Sequence, residues 1–242
     1  MDLTAIIIIL LIVIIICFII SPWVGEKTKY KSIIETPINQ TFYWINLEKC
    51  VDRRENMINM FNEHDIKHVR IDAILGGPTD HDKDIACTKS HIKAIQAFLK
   101  SGDEVGVICE DDLTMEYKKY WRCDLDEVIA KAPKDWEVIQ LSIIVHPLVY
   151  HLIINSATTN YIRYHPWVCG ALCYIINRKG AEKLTQPVTP MAEHYVFGNL
   201  KAYTFKYPMF TYPYDNDSTI HPTHLSSQMK SKKLITNYLK YN

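Results

Sequence analysis

From Ile85 to Asp112 the chain reads IACTKSHIKAIQAFLKSGDEVGVICEDD, a helical repeat that runs straight into a short apolar strand ending in three acids. Ile85, Ile92, Ile95 and Leu99 recur at the spacing that keeps one helix face apolar. Asp84 is placed to cap the start, and Lys100 with Gly102 supplies a basic last turn and a stop. Val105, Val107 and Ile108 form a run of strand type, with Cys109 able to pack as a small hydrophobe. Glu110, Asp111 and Asp112 follow at once. Adjacent like charges repel and resist burial, so acids at the carboxyl end of a buried strand call for a cation to neutralise them. Oxygen ligands alone favour Mn²⁺ or Mg²⁺ over zinc. In isolation, three acids in a row are ordinarily a solvated loop, so the rest of the chain has to decide.

Leu3–Ile20 is almost wholly aliphatic and extends towards Trp23 and Val24, about 20 residues, enough to cross a bilayer core as a helix. The start Met-Asp carries no basic side chain, and Ser21-Pro22-Trp23 offers no small-x-small cleavage site. An uncleaved anchor over residues 1–24 is therefore expected rather than a signal peptide. Lys27, Lys29 and Lys31 after the span favour a single-pass protein with its domain in the cytosol, although a lumenal enzyme would have the opposite orientation. Lysine plus arginine and aspartate plus glutamate both number 27, so no excess charge points to a nucleic-acid partner. Seven cysteines show neither a disulfide framework nor a zinc spacing, and Cys169 with Cys173 reads as core packing.

A short stem is expected over residues 25–41 and one domain over 42–242. Phe42–Leu47 reads as a strand, and Asp52-Arg53-Arg54-Glu55 as an acid-capped box opening a helix that turns Met57, Ile58 and Phe61 inward. Val69–Ala73 reads as a second strand and Gly76-Gly77-Pro78 as a turn. The helix Asp84–Ser101 and the strand Val105–Cys109 come next. Asp124–Ala132 looks helical, Trp136–Ile144 and Ala171–Ile176 look like strands, and a short helix begins at Lys179. Tyr203–Tyr207 is expected at a sheet edge, since Pro208 follows. His146–Arg163 shows no period, and the tail from Tyr212 is polar and carries histidines. The alternation implies an α/β fold with a mostly parallel central sheet.

Four blocks, in order, resemble glycosyltransferase family 25, which contains lipo-oligosaccharide and collagen galactosyltransferases. They are YWINLEKCVDRRENM at Tyr43–Met57, VRIDAILG at Val69–Gly76, IACTKSH with the following helix and ICEDD, and WVCGALCYIINRKGAEKL at Trp167–Leu184. The resemblance implies a nucleotide-sugar-binding domain of the GT-A type, a divalent metal at the acidic motif and inversion at the sugar carbon. It implies a hexosyltransferase that takes galactose or glucose from a UDP-sugar to a protein or glycan acceptor. Where the family commonly has an aspartate in a proline-alanine-aspartate-like segment, this chain reads Pro190-Met191-Ala192-Glu193-His194, so Glu193 becomes the expected base with His194, Asp215 and Asp217 as rivals.

Glu110, Asp111, Asp112 and His221 are the expected metal ligands, His221 completing a Mn²⁺ shell from the tail or else lying at the surface. Arg53, just beyond the first strand, suits diphosphate or ribose oxygens, whereas Arg54 has the pattern of an exposed helix residue. Asp72 suits a ribose hydroxyl or a base N–H, with a turn cap as the alternative. Ser90-His91 lacks the G-x-S-x-G elbow of a hydrolase, and the resemblance implies binding near the diphosphate for both; His91 could equally be a buried support for the acidic turn. Two rival classes remain at this stage, a catalytically degenerate nucleotide-sugar-binding or interaction module and a metal phosphohydrolase.

Overall fold

The computed structural model describes residues 37–185, 187–213 and 225–241. The anchor expected over residues 1–24 and most of the expected stem lie outside them. Among the described residues no helix is long and apolar enough to cross a membrane. The residues just before the first strand already belong to the domain. Ile38 is buried in the core, and the Thr41 carbonyl accepts from Val107 N at 3.1 Å.

The described strands are β1 (Phe42–Asn46), β2 (His68–Asp72), β3 (Val105–Glu110), β4 (Val138–Gln140), β5 (Ile144–Val145), β6 (Tyr161–Arg163), β7 (Val168–Cys169), β8 (Cys173–Asn177) and β9 (Ala202–Phe205). Seven form one sheet in the order β2-β1-β3-β8-β4-β9-β6, and β5 pairs with β7. In the large sheet β8 and β6 run against the other strands, so the sheet is mixed with a parallel majority. The helices are α1 (Val51–Glu63), α2 (Asp80–Ser101), α3 (Leu125–Ala130), α4 (Arg178–Glu182), α5 (Ala192–Gly198) and α6 (Leu225–Tyr241). A short helix, Pro147–Val149, also passes into a π turn at Tyr150–Asn155.

Strand alternation explains the layers. Phe42 and Trp44 of β1 face one side, where they pack with Met57 and Phe61 of α1. Tyr43 and Ile45 face the other, with Ala94, Ile95 and Phe98 of α2 and Tyr195 and Phe197 of α5. Side chains along a strand point to opposite faces, so a strand apolar at every position needs cover on both. A third cluster, including Val145, Tyr150, Val168, Ile235 and Leu239, joins the β5–β7 pair to α6.

Several boundaries differ from the sequence expectation. Helix α2 begins at Asp80 rather than Asp84, because Thr79 caps it and forms a reciprocal capping box with Asp82. Helix α1 has no side-chain cap; Cys50 takes that position and Asp52 lies in the first turn. The expected strand Trp136–Ile144 divides into β4 and β5, and Leu141 N between them donates to the Cys173 carbonyl. Tyr203 lies inside the sheet, since β6, from the stretch without a period, takes the edge beyond β9. The polar tail contains α6, which buries Ser231, Lys232, Ile235 and Leu239.

Gly106 is what lets α2 lie close on β3, because a Cβ there would stand 2.6 Å from Phe98 Cδ2 and 3.0 Å from its Cγ. Gly106→Ala is expected to lower stability by about 1–3 kcal/mol through overpacking. The shift in urea midpoint, at unchanged slope, measures it.

Candidate functional site

The register of the three parallel strands builds the site. Asn46 pairs with Asp72, and Ile45 with Glu110, so the carboxyl ends of β1, β2 and β3 finish together. A cleft of about 520 Å³ opens there, lined by the start of α1, the loop Ala73–Pro78, one face of α2 and the acids after β3. Open α/β sheets bind ligands at this end of their strands. The loop can close down on α2 because Gly76 has no side chain; a Cβ would stand 2.6 Å from Lys83 Cα.

Three neighbouring acids leave β3 in different directions. Glu110 Oε1 lies 3.3 Å from Nε2 of the fully buried His91, whose Nδ1 lies 3.1 Å from the Tyr174 hydroxyl. Asp111 is gripped twice, by Arg53 Nη1 at 2.9 Å and by Asn46 Nδ2 at 2.7 Å. Asn46 in turn donates to the Cys50 carbonyl and accepts from Arg70 Nε at 3.0 Å. Asp112 has a longer ion pair, 3.8 Å to Arg53 Nη1, and its Oδ1 is buried with no hydrogen-bond partner.

The electrostatics follow from that division. Burial, then the charge of Glu110, pushes the Asp112 carboxyl up from its ordinary 3.8 to about 7, Asp111 adding to the effect and Arg53 opposing it. Burial and the nearby Glu110 likewise push the Cys87 thiol well up. A buried carboxylate oxygen with no donor is an unmet acceptor that a hard cation could satisfy.

The other residues singled out in the sequence divide between cleft and surroundings. Arg53, Ser90, His91, Glu110, Asp111 and Asp112 all line the cleft. Ser90 is engaged locally, donating from Oγ to the Ala86 carbonyl at 2.7 Å and accepting from Ile74 N at 2.8 Å, which fixes the cleft loop. Asp72 is not among the lining residues; its side chain is 68% exposed and paired with Arg70 at 2.7 Å. Arg54 pairs with Glu48 at 3.2 Å, the helix-surface role expected of it. Glu193, in the first turn of α5, is also not among the lining residues, yet its charge is felt at Cys87, Tyr164 and Cys169. His221, Asp215 and Asp217 lie outside the described residues.

Sequence reasoning missed Asn46, Lys49, Lys83 and Cys87. Asn46 had a signal, a polar residue closing the apolar strand FYWIN; the structure buries it to 1% exposure, where it must have partners. Lys49 and Lys83 line the cleft, and nothing in their local sequence separates them from ordinary surface lysines. Cys87 precedes His91 by one helical turn, a spacing visible in the sequence.

The raised Asp112 carboxyl has a signed consequence. Between the ordinary 3.8 and about 7 the folded chain holds a proton there that the unfolded chain has lost. Its contribution to stability is therefore full below that window and lost as pH rises through it. In chelator, urea titrations of Asp112→Asn are expected to show a flatter decline in stability across this window than the parent chain; an identical slope would refute the assignment.

A family model described as Glycosyltransferase family 25 (LPS biosynthesis protein) matches residues 39–196. No curated protein matches the chain. Among solved structures, one similar to it is the crystal structure of a glycosyltransferase involved in the glycosylation of the major capsid of PBCV-1, at 11% identity and TM-score 0.42, covering 84% of this chain and 100% of that one. Another is the mannose-1-phosphate geranyltransferase from Thermus thermophilus, at 10% identity and TM-score 0.34, covering 72% and 75% respectively. The family match extends over β1, the acids after β3 and the first turns of α5, and on that ground the chain belongs to glycosyltransferase family 25.

Proposed function

We propose that this glycosyltransferase is metal-dependent and inverting, and that it moves a hexose, galactose or glucose, from a UDP-sugar to a hydroxyl of a protein or glycan on a GT-A type of domain. The observation that carries the proposal is the Asp111–Asp112 pair facing Arg53 in the cleft, with one carboxylate oxygen of Asp112 buried and unpartnered.

The donor set fits a hard divalent ion, Mn²⁺ or Mg²⁺, because it offers carboxylate oxygens. Asp111 and Asp112 would hold it. Glu110 is the lesser candidate, since His91 engages it, and His221 stays a proposed ligand from the tail. When bound, the ion would supply Lewis-acid stabilisation of the departing diphosphate.

The chain's own residues supply the rest. Arg53 is the proposed diphosphate donor, its planar guanidinium suited to two phosphate oxygens, with Lys49 and Lys83 adding positive charge along the lining. Asn46 is a positioning residue that fixes Asp111. Ile45, Leu47, Ile74 and Leu75 give the cleft an apolar wall for the uridine. Asp72 would reach a ribose hydroxyl only by leaving Arg70. Ser90 holds the wall by way of Ile74, and His91 orients Glu110.

Glu193 is the proposed base. It takes the proton from the acceptor hydroxyl as that oxygen bonds to the sugar carbon on the face opposite the breaking bond to the diphosphate. A segment spanning a membrane over residues 1–24, with the domain on the cytosolic side, completes the proposal.

The test is turnover of a panel of nucleotide sugars by the full chain with Mn²⁺. UDP-galactose or UDP-glucose is the expected donor. Chelator is expected to abolish turnover, and Asp111→Asn with Asp112→Asn to lower it by about 10²-fold or more. Undiminished turnover in chelator would overturn the metal assignment. Glu193→Gln is expected to lower kcat while leaving donor binding, read by calorimetry, within a few-fold; equal losses in both would remove Glu193 from the role of base.

A further inference from the structure

The acids at the end of β3 do not all face the same neighbours. Glu110 turns away from Arg53, towards α2, where Cys87 and His91 stand four residues apart on one helix face. One ligand atom from each of Cys87, His91 and Glu110 lies within 4.8 Å of the other two. This donor set of thiol, imidazole and carboxylate differs from the oxygen-only pair beside it. Thiolate and imidazole select borderline transition metals, zinc above all, whereas carboxylates alone suit Mg²⁺ or Mn²⁺.

We propose that Cys87, His91 and Glu110 form a second metal site, which takes a zinc-class ion and is distinct from Asp111 and Asp112. Two features beyond proximity support it. His91 already has the support typical of a metal-bound histidine, since its Nδ1 meets the Tyr174 hydroxyl while Nε2 points at Glu110 and is turned to the site. All three residues also line the cleft, so a fourth position would be open to water or to a cleft ligand, as in three-ligand zinc sites. On binding, the Cys87 S–H bond gives its proton to solvent and the sulfur bonds the ion. The ion would tie α2 to the end of β3 and neutralise Glu110, leaving Asp111 and Asp112 to the hard ion. Nothing in this site depends on sugar transfer.

Cobalt substitution tests it on the full chain. With Co²⁺ the parent is expected to develop a near-ultraviolet thiolate-to-metal band that saturates at one equivalent and is erased by Zn²⁺. Asp111→Asn with Asp112→Asn should keep the band. Cys87→Ser should lose it, and His91→Asn should weaken binding at least about tenfold. Absence of the band in the parent, or its survival in a folded Cys87→Ser variant, would overturn the proposal; should Cys87→Ser not fold, the parent titration and His91→Asn still decide. Mn²⁺ binding, followed by paramagnetic resonance, reports separately on Asp111 and Asp112, so failure of one site is distinguishable from failure of the other.

Discussion

Three like charges in a row at the end of a buried strand repel one another, and the surroundings of β3 are arranged around that repulsion. Glu110 meets a buried histidine, Asp111 takes an arginine and an asparagine, and Asp112 is left with a longer ion pair and an unpartnered oxygen. The cost is concentrated on Asp112, whose carboxyl is pushed up to about 7. Burial and the neighbouring Glu110 are the causes, and Arg53 only partly offsets them.

The division depends on residues far away in sequence. Asn46 ends β1 and reaches Asp111 directly, Arg70 on β2 acts through Asn46, and Tyr174 on β8 acts through His91, brought together by parallel register on one side of β3 and antiparallel pairing on the other. The links run from 2.7 Å at Asn46–Asp111 to 3.3 Å at His91–Glu110, and each gives its carboxylate a directional partner. The apolar layers above and below the sheet hold those strands in place, so packing of residues such as Phe61 and Phe98 is what makes the polar network repeatable.

Much of this was legible in the chain. β1, β3 and the first two helices announced themselves by their apolar residues, because each has a face or a whole length of them to bury, whereas β2 buries Ile71 alone; Gly102 ends α2 in the left-handed conformation. Arg53, His91 and the three acids, all singled out in the chain, line one cleft. Harder to see were the π turn and β6, where short pieces carry too few residues to show a period, and α6, whose polar composition conceals a buried stripe. Asp72 shows how pairing on the same strand competes with a ligand role. Its place at a strand end suits a ligand contact, but Arg70, two residues earlier on the same face, claims its carboxylate.

The sequence alone determined that an acidic cluster would end a buried strand in an α/β domain, because hydrophobic period and strand propensity are local properties of consecutive residues. Tertiary structure decided which neighbour each acid would meet. Partners such as Asn46, Arg53, His91 and Tyr174 come from separate elements, and only their packing sets the angstrom-scale distances on which charge pairing depends.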